Sequence, residues 1–193
     1  MPGNNGGANW GGAAVDPVAG TLYVVSKDFP ALLKLSPAGE GRFKSPFGFM
    51  VTSTGLSAIK PPWTTLTAYD LNDGAIRWQI PLGEVPDLAA KGIKDTGAHF
   101  PKTGPVVTAG GLLFAGTRDR KFRALDIDSG KVLWETELEA GMEGIPAVYE
   151  IGGREYVAIC ASAPTTTHLH ASPGHPAVRE QIPGAYVAFA LAK

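Results

Sequence analysis

The sequence predicts an all-β chain, an incomplete β-propeller of about three four-stranded blades, and three observations carry that prediction. The first is a repeat. Ala68-Tyr-Asp-Leu-Asn-Asp-Gly-Ala-Ile-Arg-Trp78 returns as Ala124-Leu-Asp-Ile-Asp-Ser-Gly-Lys-Val-Leu-Trp134, an offset of 56 residues. Ala68/Ala124, Asp70/Asp126, Gly74/Gly130 and Trp78/Trp134 coincide, and a polar Asp73 or Ser129 precedes each Gly. Each copy reads as strand, tight turn, strand. Asp can hydrogen-bond the turn backbone and Gly supplies the positive φ that such a hairpin needs. An aromatic at a fixed place on the outgoing strand is what a stacked β-unit uses to dock on its neighbour. Repetition at such a period marks a propeller or a solenoid. The second observation is composition: 25 Gly and 16 Pro imply many turns, beside a 44% apolar content that can build a core. The third is the lack of any long 3.6-residue periodicity; only residues 88–92 fit a helical turn.

Taken in order, residues 12–16 and 21–26 read as two strands joined by Asp16-Pro-Val-Ala-Gly20. With 64–70 and 75–81 they complete a first blade. A second takes 104–108, 111–117, 122–127 and 131–137. A third takes 145–150, 155–161 and 185–191, and the sequence stops where its fourth strand is due. The blades span roughly 9–82, 103–138 and 144–191 of the single unit 1–193. Four-stranded sheets repeated radially form propellers, and about four to eight blades close a ring. The expectation is therefore the C-terminal part of a larger propeller whose last blade receives its outer strand from elsewhere.

Formal charge is −1 with no long basic block, which argues against a nucleic-acid partner. No apolar run reaches the length of a membrane helix. The first residues, Met1-Pro-Gly-Asn-Asn-Gly-Gly, carry neither the basic nor the apolar region of a signal peptide. The single cysteine, Cys160, lies in the apolar run Tyr156-Val-Ala-Ile-Cys-Ala161 and is expected to be a buried thiol.

Strand alternation sorts the connections onto two faces. The short turns 16–20, 70–74, 109–111, 126–130 and 150–154 share one face, and the long connections 27–63, 82–103 and 162–184 share the other. Elaborated loops on a rigid scaffold are where binding and catalysis concentrate. His99, His168, His170 and His175 all fall on that face. His168-Leu-His170 with His175 has a spacing that suits imidazole metal ligation, against the plain reading of a polar loop without a complete ligand set. Trp78 and Trp134 read as inter-blade staples. Trp10 and Trp63 break the repeat and are candidates to wall a planar ligand. Arg118-Asp-Arg-Lys121 is either a clamp for a carboxylate or quinone oxygen or a solvated, self-paired cluster.

Several motifs together resemble a known family. They are Asn9-Trp-Gly-Gly-Ala-Ala-Val-Asp-Pro17, Pro61-Pro-Trp63 before Leu66-Thr-Ala-Tyr-Asp70, Gly111-Leu-Leu-Phe-Ala-Gly116 with Asp119 and Phe122-Arg-Ala124, Pro146 with Tyr149-Glu150, and Gly184-Ala-Tyr-Val-Ala-Phe-Ala-Leu191. In this order they resemble the C-terminal end of the pyrroloquinoline-quinone (PQQ)-dependent dehydrogenases, nearest the membrane glucose dehydrogenase-like branch. The resemblance implies an eight-bladed periplasmic propeller that binds PQQ and Ca²⁺ near its axis. It implies oxidation of an alcohol or sugar hydroxyl by hydride transfer to the quinone, with electrons passed to a respiratory acceptor. The general-base Asp, the Ca²⁺ ligands and the stacking Trp of the family lie in earlier blades. Within this segment it points to Asn9, Trp10 and Asp119 as cofactor-facing residues; the charge cluster adds Arg118 to them, and the elaborated face offers Trp63, His99 and His168 as substrate-face candidates. No catalytic or metal-binding residue is assigned to the segment. The chain departs from the branch at Val25, where relatives commonly carry a cofactor-facing Asn, and at Ser162-Ala-Pro-Thr165, which replaces a Gly-Gly-His loop. Those departures motivate another reading, a non-catalytic propeller scaffold for a protein partner; a third reading is that three-blade chains associate to close a ring.

Overall fold

The computed structural model describes residues 3, 6–45, 48–99, 101–164 and 183–190. Three antiparallel sheets follow one another along the chain. The first blade holds β1 (Ala13–Asp16), β2 (Thr21–Lys27), β5 (Thr64–Asp70) and β6 (Ile76–Pro81), in that spatial order. Between β2 and β5 lies a small hairpin that the sequence did not announce, β3 (Ser36–Pro37) with β4 (Phe43–Lys44). The one-turn helix α1 (Pro86–Ala89) follows the first blade and starts two residues before the expected turn, because proline's fixed φ favours the first helical position.

The second blade runs from β7 (Val106–Val107) through β8 (Leu112–Gly116) and β9 (Lys121–Asp126) to β10 (Val132–Glu137). The third has β11 (Gly141–Ile151), β12 (Arg154–Ala163) and β13 (Ala185–Ala190). The first strands touch, β1 against β7 and β7 against β11, so they mark the inner edge of the fan. Among the described residues the third sheet has three strands, and no helix is long and apolar enough to cross a membrane.

Side-chain alternation explains how the blades stack. On β8 and β9, Leu113, Ala115 and Leu125 face the first blade and pack with Tyr23, Val25, Leu66 and Ala68. The alternate residues Phe114, Phe122 and Ala124 face the third blade and pack with Met142, Val157 and Ile159. A strand buried on both faces must be apolar at every position, and this is why 112–116 reads as an unbroken run. The fourth strand β10 and the third blade's last described strand β13 are largely exposed, and β6 is half-exposed.

The repeated unit adopts one geometry twice. Ala68 pairs with Trp78 and Ala124 with Trp134, and each pair adjoins a register shift. The Gly74 amide donates to the Asp70 carbonyl at 2.8 Å and the Gly130 amide to the Asp126 carbonyl at 2.9 Å. Asp70 Oδ1 accepts from the Asn72 amide at 2.9 Å, as Asp126 Oδ1 does from the Ser129 amide at 2.9 Å. The Asn72 amide and the Arg77 guanidinium hold the Asp70 carboxyl below its ordinary range, and the Ser129 hydroxyl does the same for Asp126.

Blade-to-blade docking is equally specific. Trp78 Nε1 donates across the gap to the Ile127 carbonyl at 2.9 Å, and the Tyr23 hydroxyl reaches the same oxygen at 3.3 Å. The indole lies against Gly130, the turn glycine of the next blade. Trp134, the equivalent residue one blade on, remains 43% exposed. It meets Phe122 and Phe189 edge-on and borders an apolar cavity of about 330 Å³ that Phe114, Val157 and Phe189 also line.

Two glycines cross where the segments entering β1 and β7 meet. A Cβ on Gly104 would lie 1.7 Å from the Gly11 carbonyl oxygen, and one on Gly11 would lie 2.1 Å from the Thr103 oxygen. Both obstacles are backbone, so no rotamer change relieves them. Gly104→Ala is expected to cost on the order of 2–3 kcal/mol, read as a lower urea midpoint. A midpoint equal to that of the parent would show that these segments can part freely.

Two expectations need correction. Cys160 is half-buried, because Val157, Ile159 and Ala161 occupy the core register of β12 while Cys160 faces the other way, 3.3 Å from the Ser162 hydroxyl. The cluster Arg118–Lys121 is neither self-paired nor wholly solvated: Arg118 pairs with Glu143, Asp119 with Arg123, Arg120 with Glu137 and Lys121 with Glu84 and Glu135, and Arg118 and Asp119 are buried.

Candidate functional site

The site is built at the end of β2. Residues of one strand face repeat every second position, and Thr21, Tyr23, Val25 and Lys27 form one buried row against the second blade. Three of them suit that environment. The fourth is a lysine, 4% exposed, where the row reaches the elaborated face. Its amide donates to the Gly7 carbonyl at 3.1 Å, which ties the strand end to the segment carrying Asn9 and Trp10. Lys27, Val25, Asn9, Pro101 and Thr103 line one narrow crevice.

Electrostatically this corner is short of anions. Burial pushes the Lys27 ammonium below its ordinary pKa, and the like charges of Lys102 and Arg118 push it further down. Among the described residues no carboxylate forms an ion pair with Lys27. Among the described residues the buried Thr103 hydroxyl has no hydrogen-bond partner, nor has Arg118 Nε. Buried donors are normally satisfied, and one left alone costs about 1–3 kcal/mol. Arg118 spends its other end on Glu143, so it bridges the second blade to the third.

Trp10 stands beside this corner with its indole 68% exposed and a φ of 75°. Lys102 Nζ lies 5.9 Å from the centre of its ring. An exposed aromatic flanked by cations is a surface for a planar anion.

The other predicted residues sit elsewhere. Asp119 is turned inward: its side chain is fully buried and paired with Arg123 at 2.5 Å. Thr117 Oγ1 donates to Asp119 Oδ1 at 2.6 Å. Trp63 is buried and donates from Nε1 to the Ile59 carbonyl at 2.9 Å. His99 is buried and stands edge-on to both Phe29 and Trp63. Trp63 and His99 thus belong to a satellite core under the long loops, with Phe29 and Val85, and not to an open wall. His168, with His170 and His175, lies outside the described residues. The structure brings Asn9, Trp10 and Arg118 to one corner and adds Lys27, Lys102 and Thr103, which the sequence reading missed. A signal for Lys27 was present, since a charge in phase with Tyr23 and Val25 on a buried strand face breaks the pattern.

Comparison with known proteins agrees with this architecture. The family model described as glucose/ethanol/alcohol dehydrogenase, beta-propeller domain (PQQ), matches residues 1–157. A probable quinate dehydrogenase (quinone) of Xanthomonas campestris pv. juglandis is 33% identical over 83% of this chain and 24% of its own length. A glycerol dehydrogenase large subunit of Gluconobacter thailandicus is 33% identical over 83% of this chain and 26% of its own. Among solved structures, a europium-containing methanol dehydrogenase matches with a TM-score of 0.57 at 27% identity, covering 84% of this chain and 26% of that one. The quinohemoprotein alcohol dehydrogenase of Comamonas testosteroni shares the fold, with a TM-score of 0.63 at 21% identity over 98% of this chain and 27% of that one. The chain spans about a quarter of the length of the curated relatives it matches. With its stacked four-stranded blades and the family match across most of its length, the chain belongs to the β-propeller family of the PQQ-dependent glucose, ethanol and alcohol dehydrogenases.

Proposed function

We propose that this chain supplies adjoining blades of a PQQ-dependent dehydrogenase that oxidises the hydroxyl-bearing carbon of an alcohol, polyol or sugar. The observation that carries the reading is the exposed Trp10 indole beside the carboxylate-poor corner of Lys27, Lys102 and Arg118. PQQ is planar and carries several carboxylates, so buried donors without partners suit it. PQQ held there would supply the hydride acceptor for oxidation of the substrate's hydroxyl-bearing carbon. The residues of this chain bind and position: Trp10 offers a flat apolar surface, and Arg118, held by Glu143, places fixed positive charge at the face. Asn9 lines the same crevice. The relatives named for quinate, glycerol and methanol support an alcohol-type substrate. By the resemblance, the general base and the Ca²⁺ ligands belong to other blades, the enzyme works in the periplasm, and a respiratory acceptor takes the electrons.

The test is reconstitution of the complete gene product with PQQ and Ca²⁺, following dye reduction with glycerol, quinate and glucose. Turnover with at least one of them is expected from the complete product, and none from residues 1–193 alone. Val25 favours a second reading, a scaffold that docks a protein, because it fills the row below Lys27 with an apolar side chain. A complete product that shows no saturable PQQ binding would sink the dehydrogenase reading in favour of the scaffold.

A further inference from the structure

The crevice at the end of β2 raises a question that the dehydrogenase reading leaves open, namely why a lysine ends a buried row. Ordinary surface lysines reach water through a flexible stem. Lys27 is 4% exposed, and no described carboxylate pairs with it. Thr103, which lines the same crevice, is 2% exposed and its hydroxyl has no partner among the described residues. Arg118, 8% exposed, keeps an unpartnered Nε. The charged groups around the corner are the cations Lys102 and Arg118, with Glu143 committed to Arg118 and Asp119 committed to Arg123. The Lys27 ammonium, without an ion-pair partner among the described residues, and the Thr103 hydroxyl and Arg118 N–H, without acceptors among them, form a donor set for an external anion.

We infer that Lys27 and Thr103, flanked by Lys102 and Arg118, form a binding site for the carboxylate group of a small organic ligand, seated at the mouth of the crevice. The crevice is too narrow to enclose a ligand, so a carboxylate meets the donors from the open side, next to Trp10. Two oxygens satisfy two donors at once, and the negative charge relieves the repulsion among three cations. The same chemistry is offered by a carboxylate of PQQ and by that of a hydroxy-acid substrate. The inference stands apart from the dehydrogenase reading, since carboxylate binding here is measurable without any turnover.

The experiment uses the complete protein with reductively ¹³C-methylated lysines, the Lys27 resonance being assigned by loss in Lys27→Met. Malate, its dimethyl ester, glycerol and PQQ are titrated separately. Without ligand the Lys27 signal is expected to titrate below the ordinary lysine range, and bound carboxylate is expected to move that titration back up. Malate or PQQ should shift the signal saturably, while the ester and glycerol leave it in place. Lys27→Met should weaken the binding at least tenfold with the circular dichroism spectrum unchanged, and Lys27→Arg should recover part of it. A response to PQQ alone assigns the site to the cofactor, to malate alone to an acidic substrate, and to both to carboxylates at large. No saturable shift with either, or Lys27→Met binding as tightly as the parent, would overturn the inference.

Discussion

Replacing Asp119 by alanine is expected to remove about 3–5 kcal/mol of stability, one of the two largest losses expected of any single change in the chain. Its carboxylate is wholly buried and accepts from Arg123 Nη2 at 2.5 Å, from Thr117 Oγ1 at 2.6 Å and from the Lys121 amide at 3.2 Å. These bonds hold the connection between β8 and β9, where Arg120 takes a φ of 65°. Removing the carboxylate strands Arg123. Burial alone would weaken that guanidinium's charge, and the attraction of Asp119 and Glu135 more than offsets it. Arg123 Nε also reaches Glu135 Oε2 at 2.8 Å, so part of the charge stays compensated in the variant. The measurement is a double-mutant cycle in urea with Asp119→Ala, Arg123→Met and the pair. The double variant should lose much less than the two single losses added together, because the apolar pair leaves no unpaired buried charge. Additive losses would mean that the two side chains act independently. Asp119→Asn separates structure from function: it should lower stability and leave the affinity for PQQ unchanged, since the carboxylate faces the interior.

That inward turn shows what the sequence could and could not disclose. The Asp-turn-Gly-Trp unit was legible because its chemistry is local: Asp126 caps its own turn, Gly130 takes its own positive φ, and a spacing repeated at Asp70 and Gly74 reports the same hairpin. The four-strand order followed from that period, and with it the separation of trimmed from elaborated face. Burial of charge was not local. Arg118 is buried because Glu143, on another blade, comes to meet it, and Arg120 is fixed by the Leu138 carbonyl at 2.8 Å. Trp63 and His99 looked like open-face residues because they break the repeat. They are buried because the connections after β2 and β6 fold back and pack with Phe29 and Val85. Lys27 was hidden for a related reason: a strand's period shows which residues share a face, while only the neighbouring blade shows that the face is closed at its end.

Trp78→Ala is expected to cost roughly 2–4 kcal/mol, whereas Trp134→Ala should cost under about 2 kcal/mol. The two residues occupy the same register in successive blades and differ only in what receives them. Trp78 has a seat. Its Nε1 donates to the Ile127 carbonyl, its ring lies 5.9 Å from that of Tyr23, and its face covers Gly130. Truncation removes a half-buried indole, leaves the Ile127 carbonyl with the longer Tyr23 bond, and opens a gap between the first two blades. Trp78→Phe keeps most of the area and loses the hydrogen bond, so its cost should fall to about 0.5–1.5 kcal/mol. The seat can be spoiled from the other side as well. A Cβ on Gly130 would come within 2.9 Å of two indole carbons at a φ of 69°, so Gly130→Ala should cost about 1–3 kcal/mol. In the Trp78→Ala background that penalty should shrink to the strain of the positive φ alone. Trp134 has no such seat among the described residues: it is 43% exposed, makes edge contacts with Phe122 and Phe189, and faces the 330 Å³ cavity. Urea unfolding of residues 1–193 measures all five variants on one scale. Equal losses for Trp78→Ala and Trp134→Ala would show that the carbonyl and the bare glycine face contribute nothing beyond generic burial. A loss several times larger for Trp78 would identify the next blade's turn, and not the tryptophan alone, as the part that joins one blade to the next.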